Sequence, residues 1–143
     1  MSDEEWQSVL DVNLTSTFRL CRAVLRGMMK ARWGRIVNVT SIAGTRVHPF
    51  AGTAYATSKA ALGSLTREMS ADFGPHGIRV NAIAPGEIDT AILSPGTEKI
   101  VAQIPQRRLG QPEEVAKAIY FLCTDSSSYV NGAELHINGG QHV

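Results

Sequence analysis

The segment Tyr55-Ala56-Thr57-Ser58-Lys59 carries the side chains best suited to chemistry. Tyr55 and Lys59 are four residues apart at the start of a predicted helix, so their side chains lie on one face, a turn apart. A tyrosine hydroxyl titrates near pH ~10 and is a poor acid or base at neutral pH. A neighbouring ammonium stabilises the phenolate, which equips such a tyrosine to donate and accept protons. The spacing alone often arises by chance, and a solvated surface pair is then the simpler interpretation.

Two further polar segments follow predicted strands. Asn38-Val39-Thr40-Ser41 places a serine where a strand gives way to a loop, the usual location of functional groups in open α/β sheets. Ser41 precedes Tyr55 by fourteen positions, enough for a loop to bring the two hydroxyls together. Pro85-Gly86-Glu87-Ile88-Asp89-Thr90 leaves the next strand at the same end of the sheet. Its Gly86 would let the backbone approach a ligand closely.

Apolar periodicity predicts the elements that position these groups. Long helices are expected over Asp3–Lys30, with an irregularity near Asn13, over Ala54–Phe73, and from Pro112 onward. Short apolar strands are expected over Arg35–Thr40, Ile78–Ala84 and Ala133–Ile137, and a short helix around Thr97–Gln103. Helices that alternate with strands indicate an α/β fold, in which a parallel sheet is covered by helices on its faces. Three strands make a thin sheet with an edge that should be covered.

Together these segments resemble the short-chain dehydrogenase/reductase family, over essentially all 143 residues. Five ordered motifs carry the resemblance: Asn-Leu-Thr at Asn13, the Asn-x-Ser-type turn at Asn38–Ser41, Tyr-x-x-x-Lys with its Ala-rich helix at Tyr55–Ala61, Pro-Gly-x-x-x-Thr at Pro85–Thr90, and Asn-Gly-Gly at Asn138–Gly140. In general appearance the chain is similar to the 3-oxoacyl-acyl-carrier-protein reductases and to bacterial sugar and alcohol dehydrogenases. The resemblance implies a Rossmann-type doubly wound parallel sheet.

The resemblance also implies a catalytic role for four residues. Tyr55 would protonate the carbonyl oxygen during reduction and act as the base in the reverse direction. Lys59 would stabilise the ionised tyrosine and hydrogen-bond the nicotinamide ribose. Ser41 would hold the substrate oxygen, and Asn13 would bind a water that links Lys59 to solvent. Simpler alternatives are a turn serine at Ser41 and an asparagine bonded to its own helix backbone at Asn13. Ser58, inside the motif, is expected to be a packing residue rather than a second nucleophile.

The cofactor implied by the resemblance is NADP or NAD. Backbone groups around Pro85, Gly86 and Ile88, together with the Thr90 hydroxyl, would orient the nicotinamide, and Tyr55 and Lys59 would also contact the cofactor. The acidic side chains of this segment, Glu87 and Asp89, are expected to face solvent. The substrate would be a small carbonyl or alcohol compound. Apolar residues in the region Glu87–Gln111 could cover it, namely Ile92, Leu93, Pro95 and Ile100.

One family feature has no counterpart in this sequence. The family opens with a strand and a Thr-Gly-x-x-x-Gly-x-Gly turn that cradles the cofactor pyrophosphate at a helix amino end. The segment that selects NAD or NADP is absent as well. The 143 residues are therefore expected to be a single partial domain, the carboxyl-terminal catalytic half of the fold. A truncated gene product is our preferred explanation, ahead of a half that pairs with another polypeptide and a remnant that only associates.

The competing function is an association module that oligomerises without binding the dinucleotide. Homo-oligomers would form through the two long helices and the last strand, which carry the contact surfaces of relatives. The formal net charge of +1 gives no electrostatic reason to expect a nucleic-acid or membrane partner. The composition, 43% hydrophobic and 19% charged, is that of a soluble protein, expected in the cytoplasm. Cys21 and Cys123 are expected to be reduced core thiols, and the four dispersed histidines do not predict a metal site.

Overall fold

The computed structural model describes residues 1–91, 93 and 96–143. The described chain contains the following elements: α1 (Asp3–Leu10), a π-helical turn (Asp11–Thr15), α2 (Ser16–Ala31), β1 (Gly34–Val39), a 3₁₀ turn (Ile42–Gly44), α3 (Thr53–Phe73), β2 (Ile78–Pro85), α4 (Thr97–Val101), α5 (Pro112–Cys123) and β3 (Glu134–Ile137). All predicted helices and strands are present, with boundaries that differ by one or two residues.

The first helix is continuous apart from the irregularity predicted near Asn13. It begins with a capping box, in which the Ser2 hydroxyl accepts from the Glu5 backbone and the Glu5 carboxylate accepts from the Ser2 backbone. The π-helical turn Asp11–Thr15 then separates α1 from α2. Most residues of this turn are poor helix formers, so widening the helix costs little there. Such π turns often occur at functional sites.

The three strands form a parallel sheet in the order β1-β2-β3. Val39 at the end of β1 is paired with Ile83, and Pro85 at the end of β2 is paired with Ile137. The carboxyl ends of neighbouring strands therefore meet at one edge of the sheet, which is where the predicted site segments begin. Within the described residues, the outer edge of β1 has no strand beside it.

Alternate side chains of β2 face helices on opposite sides of the sheet. Ile78 and Val80 are fully buried in an apolar core that α2, α3 and β1 complete. On the other face, the Arg79 guanidinium donates to the carbonyls of Thr124 and Val130, next to the end of α5. This arrangement confirms the predicted helix-covered α/β sheet, a partial Rossmann-type fold.

The two cysteines differ in their surroundings. Both are free thiols. Cys21 of α2 lies in the core, and burial raises the pKa of its thiol. Cys123 is exposed at the last position of α5, so the expectation that both cysteines are core residues is wrong for Cys123. In the part of the chain that the structure describes, no helix has the combined length and apolarity required to cross a bilayer.

The start of α5 contains an ion pair that should make stability depend on acid pH. Arg108 donates two hydrogen bonds to the Glu114 carboxylate at 2.7 Å, and the Gln111 backbone donates a third at 2.8 Å. These contacts lower the pKa of Glu114 from 4.5 to about 2. Because the folded pKa is depressed, their stabilisation is present above pH 4.5 and is lost as the pH falls towards 2.

We expect Glu114→Gln to reduce the loss of stability over this pH window. The measurement is the melting temperature, followed by circular dichroism between about pH 6 and about pH 2, the range over which carboxylates titrate. Glu113→Gln, one residue away on the same exposed turn, is the matched control and should keep the wild-type pH profile. Identical profiles for the wild type and Glu114→Gln would contradict the assignment.

Candidate active site

Tyr55 and Lys59 stand together at the amino end of α3. The Lys59 ammonium lies 5.6 Å from the centroid of the Tyr55 ring and donates a hydrogen bond to the Val39 carbonyl at 2.8 Å. Burial lowers the pKa of Lys59, because a half-buried ammonium loses part of its hydration. Tyr55 itself remains 38% exposed. Tyr55 and Lys59 therefore lie on the same face of α3, as predicted. The hydrogen bond from Lys59 to Val39 also connects α3 to the end of β1.

Ser41 follows the end of β1 and caps the 3₁₀ turn. Its hydroxyl oxygen accepts from the Ala43 backbone N–H at 3.2 Å, which leaves the hydroxyl proton available to another acceptor. The turn sits directly on α3 at Gly44, where an added Cβ would lie 2.8 Å from the Ala60 nitrogen. This close approach holds the serine turn against the helix that carries Tyr55.

Asn13 reaches the same region through Ser58. Its amide donates to the Ser58 hydroxyl at 3.1 Å, and that hydroxyl donates to the Tyr55 carbonyl at 2.7 Å. Ser58 is fully buried, as expected for a packing residue. Asn13 thus connects the π-helical turn to the first turn of α3. In the described residues it makes no direct hydrogen bond to Lys59, and the water relay stays a prediction.

The segment after β2 packs against the carboxyl-terminal loop. Gly86 donates its backbone N–H to the Ile137 carbonyl at 3.0 Å. A Cβ at this position would lie 2.7 Å from the Asn138 Cβ, so the chain's own loop requires a glycine here. Further along, Ile88 forms an isolated bridge with Gly110, and Thr90 is exposed.

Six of the predicted site residues line one cavity of about 660 Å³: Ser41, Tyr55, Pro85, Gly86, Ile88 and Thr90. Apolar side chains complete much of the wall, among them Val39, Ile42, Phe50 and Leu93. The volume is in the range of cofactor and ligand sites. Of the residues expected to cover the substrate, Ile92 and Pro95 lie outside the described residues, and Ile100 is buried in α4.

The cavity wall also contains a histidine–carboxylate contact that the sequence did not reveal. His48 Nε2 and Glu87 Oε1 are 2.7 Å apart, with side chains only 11% and 13% exposed. The expectation that Glu87 faces solvent is therefore wrong, because the loop after β1 folds back over it. Asp89, two residues further on, is exposed as expected. No sequence signal could have paired two residues 39 positions apart on separate loops.

Comparison with known proteins gives consistent matches. The profile of the family described as "Enoyl-(Acyl carrier protein) reductase" matches residues 1–142. The chain is 61% identical to Protein FixR of Bradyrhizobium diazoefficiens, covering 99% of this chain and 51% of that protein. It is 47% identical to the 3-oxoacyl-[acyl-carrier-protein] reductase FabG of Pseudomonas aeruginosa, covering 100% of this chain and 59% of that protein.

A solved structure gives a similar result. The crystal structure of a 3-oxoacyl-[acyl-carrier protein] reductase with bound NAD from Brucella melitensis superposes with a TM-score of 0.96 at 42% identity. The match covers 100% of this chain and 54% of that one. The chain thus spans between half and three fifths of the length of these relatives.

Proposed function

Because the chain belongs to the short-chain dehydrogenase/reductase family, we propose that it carries the catalytic residues of an NAD(P)-dependent oxidoreductase. The reaction is hydride transfer between NAD(P)(H) and a carbonyl or secondary alcohol. The observation that carries this proposal is the shared cavity, which Tyr55 and Ser41 line and beside which the Lys59 ammonium stands over the tyrosine ring.

Each catalytic side chain has one task in this reaction. The Tyr55 hydroxyl protonates the carbonyl oxygen during reduction and removes that proton during oxidation. The Ser41 hydroxyl donates to the same oxygen, because a carbonyl oxygen can only accept and the bond from Ala43 uses the hydroxyl oxygen, not its proton. The Lys59 ammonium stabilises the ionised tyrosine. Asn13 holds the first turn of α3 through Ser58 and positions the water relay to Lys59.

The nicotinamide end of NADP or NAD fits the chemistry of this cavity and supplies the hydride when bound. Lys59 uses one of its three donor protons on Val39 and has others for ribose hydroxyls. Tyr55, Pro85, Gly86, Ile88 and Thr90 would surround the ring. Support comes from the Brucella melitensis reductase, solved with bound NAD. The 143 residues contain no Gly-rich pyrophosphate turn, so tight dinucleotide binding requires a phosphate-binding segment in addition to them.

The substrate is a small carbonyl or alcohol compound, with a 3-oxoacyl thioester as the first candidate. Two of the similar proteins are named 3-oxoacyl-[acyl-carrier-protein] reductases. The cavity wall is largely apolar, which suits an acyl chain. We place the reaction in the cytoplasm, where free thiols such as Cys21 and Cys123 stay reduced.

The alternative function is an association module that does not bind the dinucleotide. Two observations favour it: the uncovered outer edge of β1 among the described residues, and the exposed apolar side chains of the first long helix, Val12, Phe18, Leu20 and Val24. Exposed strand edges and apolar stripes favour pairing with another chain. A homo-oligomer formed through the two long helices and β3 would serve either function.

The test measures NADPH and NADH oxidation with a panel of ketones that includes an acetoacetyl thioester. Two polypeptides are compared: the 143-residue chain, and the same chain fused behind the amino-terminal part of the Pseudomonas aeruginosa reductase. We expect ketone-dependent turnover from the fusion, and a rise in melting temperature when dinucleotide is added.

Sedimentation of both polypeptides separates the two functions. Turnover by either one supports the enzyme. Oligomers that neither turn over any ketone nor gain stability from NADPH or NADH would support the association module and overturn the proposed oxidoreductase.

A further inference from the structure

The His48–Glu87 pair joins the two loops that face each other across the cavity. His48 belongs to the loop between β1 and α3, and Glu87 to the segment after β2. Their separation of 2.7 Å is typical of a charge-assisted hydrogen bond. Neither residue has a role in the proton transfer described above, although both line the same cavity as Tyr55.

The hydrogen bonds of the pair determine which of its atoms can meet a ligand. His48 Nδ1 accepts from the Phe50 backbone at 3.3 Å, so Nε2 carries the ring proton and donates it to Glu87. Both nitrogens of the imidazole are therefore occupied. Within the described residues, the Glu87 carboxylate has no hydrogen-bond or ion-pair partner besides His48, so it keeps acceptor capacity for a ligand. Glu87 also borders a smaller neighbouring cavity, which Arg108 lines.

The other residues that line the cavity limit which ligand groups can lie against the Glu87 carboxylate. No Lys or Arg is found among the described lining residues, and most of the wall is apolar. An alkyl group placed against Glu87 would strip water from a carboxylate without replacing its hydrogen bonds, which is costly. An anionic group would also be repelled. A hydroxyl group would donate to the carboxylate and recover the lost hydration.

We propose that Glu87, positioned by His48, selects carbonyl substrates that carry a hydroxyl group near the reacting carbon. This inference rests on the proposed function and specifies the substrate class of the same cavity: it ranks hydroxyketones ahead of the 3-oxoacyl thioester. Glu87 acts as the specificity-determining residue. His48 is a positioning residue, because it holds the carboxylate in the wall and its one ring proton is already donated to Glu87.

The test compares 3-hydroxy-2-butanone with 2-butanone, which differ by one hydroxyl group. For a polypeptide that shows turnover, the ratio of kcat/KM for the two ketones is measured in the wild type and in variants. Intrinsic differences in carbonyl reactivity cancel when this ratio is compared between proteins. We expect Glu87→Leu to lower the ratio by about ten-fold, the value of a hydrogen bond to a charged group.

Two related variants and one control sharpen the result. Glu87→Gln keeps an acceptor for His48 and should lower the ratio by less than Glu87→Leu. His48→Gln keeps the donor to Glu87 and should retain part of the preference that His48→Leu loses. Asp89→Asn removes an exposed carboxylate two residues away and should leave the ratio unchanged. An unchanged ratio in Glu87→Leu overturns the inference and leaves the proposed function intact.

A binding measurement on the 143-residue chain tests the inference without turnover. Each ketone is titrated while the NMR signals of the His48 ring protons are followed, and the melting temperature of each variant confirms that it is folded. We expect 3-hydroxy-2-butanone to bind more tightly than 2-butanone in the wild type, and with equal affinity in Glu87→Leu. Equal affinity for the two ketones in the wild type overturns the inference.

Discussion

Replacing Tyr55 with phenylalanine is expected to lower kcat for carbonyl reduction by about two to four orders of magnitude. The substitution removes only the hydroxyl that we propose as the proton donor. The ring stays beside the Lys59 ammonium, whose contact with the ring centroid and bond to Val39 do not involve that hydroxyl. The measurement is steady-state NADPH oxidation with the best ketone of the panel, on the polypeptide that shows turnover.

The matched control is Tyr120→Phe. Tyr120 lies on α5, is 73% exposed and is not among the residues that line the cavity, so its hydroxyl should be dispensable. Both variants should melt within a degree or two of the wild type, since surface hydroxyls contribute ~0.5 kcal/mol or less. Turnover by Tyr55→Phe at the rate of Tyr120→Phe would show that the tyrosine is not the proton donor.

Replacing Gly44 with alanine should have the second largest effect, on both stability and activity. The added Cβ would lie 2.8 Å from the Ala60 nitrogen and 2.9 Å from the Lys59 carbonyl carbon. Both are backbone atoms of α3, which cannot rotate away as a side chain could. The 3₁₀ turn that carries Ser41 must therefore move off the helix that carries Tyr55. Overpacking of this kind costs about 1–3 kcal/mol of the free energy of unfolding.

The control for this variant is Gly27→Ala in α2, where an added Cβ meets nothing within 4 Å. That change should raise the free energy of unfolding by about 0.5–1 kcal/mol, because alanine has the higher helix propensity. Urea unfolding measures both variants. Turnover is then measured at urea concentrations well below the unfolding midpoint, where both variants are folded. A loss of turnover under these conditions reports the displacement of Ser41 and not a loss of stability. Equal stability of the two variants would show that the turn does not press on α3 as described.

Local patterns along the chain were enough to predict the helices and strands. They also predicted those parts of the candidate site that lie on one helix or at the ends of neighbouring strands. Strands over Ile78–Pro85 and Gly34–Val39 follow from short apolar runs, and α3 follows from periodicity that ends at Phe73 before a Gly-Pro turn. Tyr55 and Lys59 could be paired because helix geometry fixes residues four apart on one face. Ser41 and Pro85 could be placed at one sheet edge because the carboxyl ends of parallel strands coincide.

Contacts between segments that are distant along the chain depend instead on how the whole chain packs. His48 meets Glu87, and Asn13 meets Ser58, because loops and packed helices bring them together. The same applies to Gly86, whose neighbour is Asn138 of the carboxyl-terminal loop. Periodicity predicts on which face of its own helix or strand a side chain lies. It does not predict the path of a loop, because that path depends on all the segments packed around the loop. The acidic group in the cavity wall is therefore a property of the folded chain.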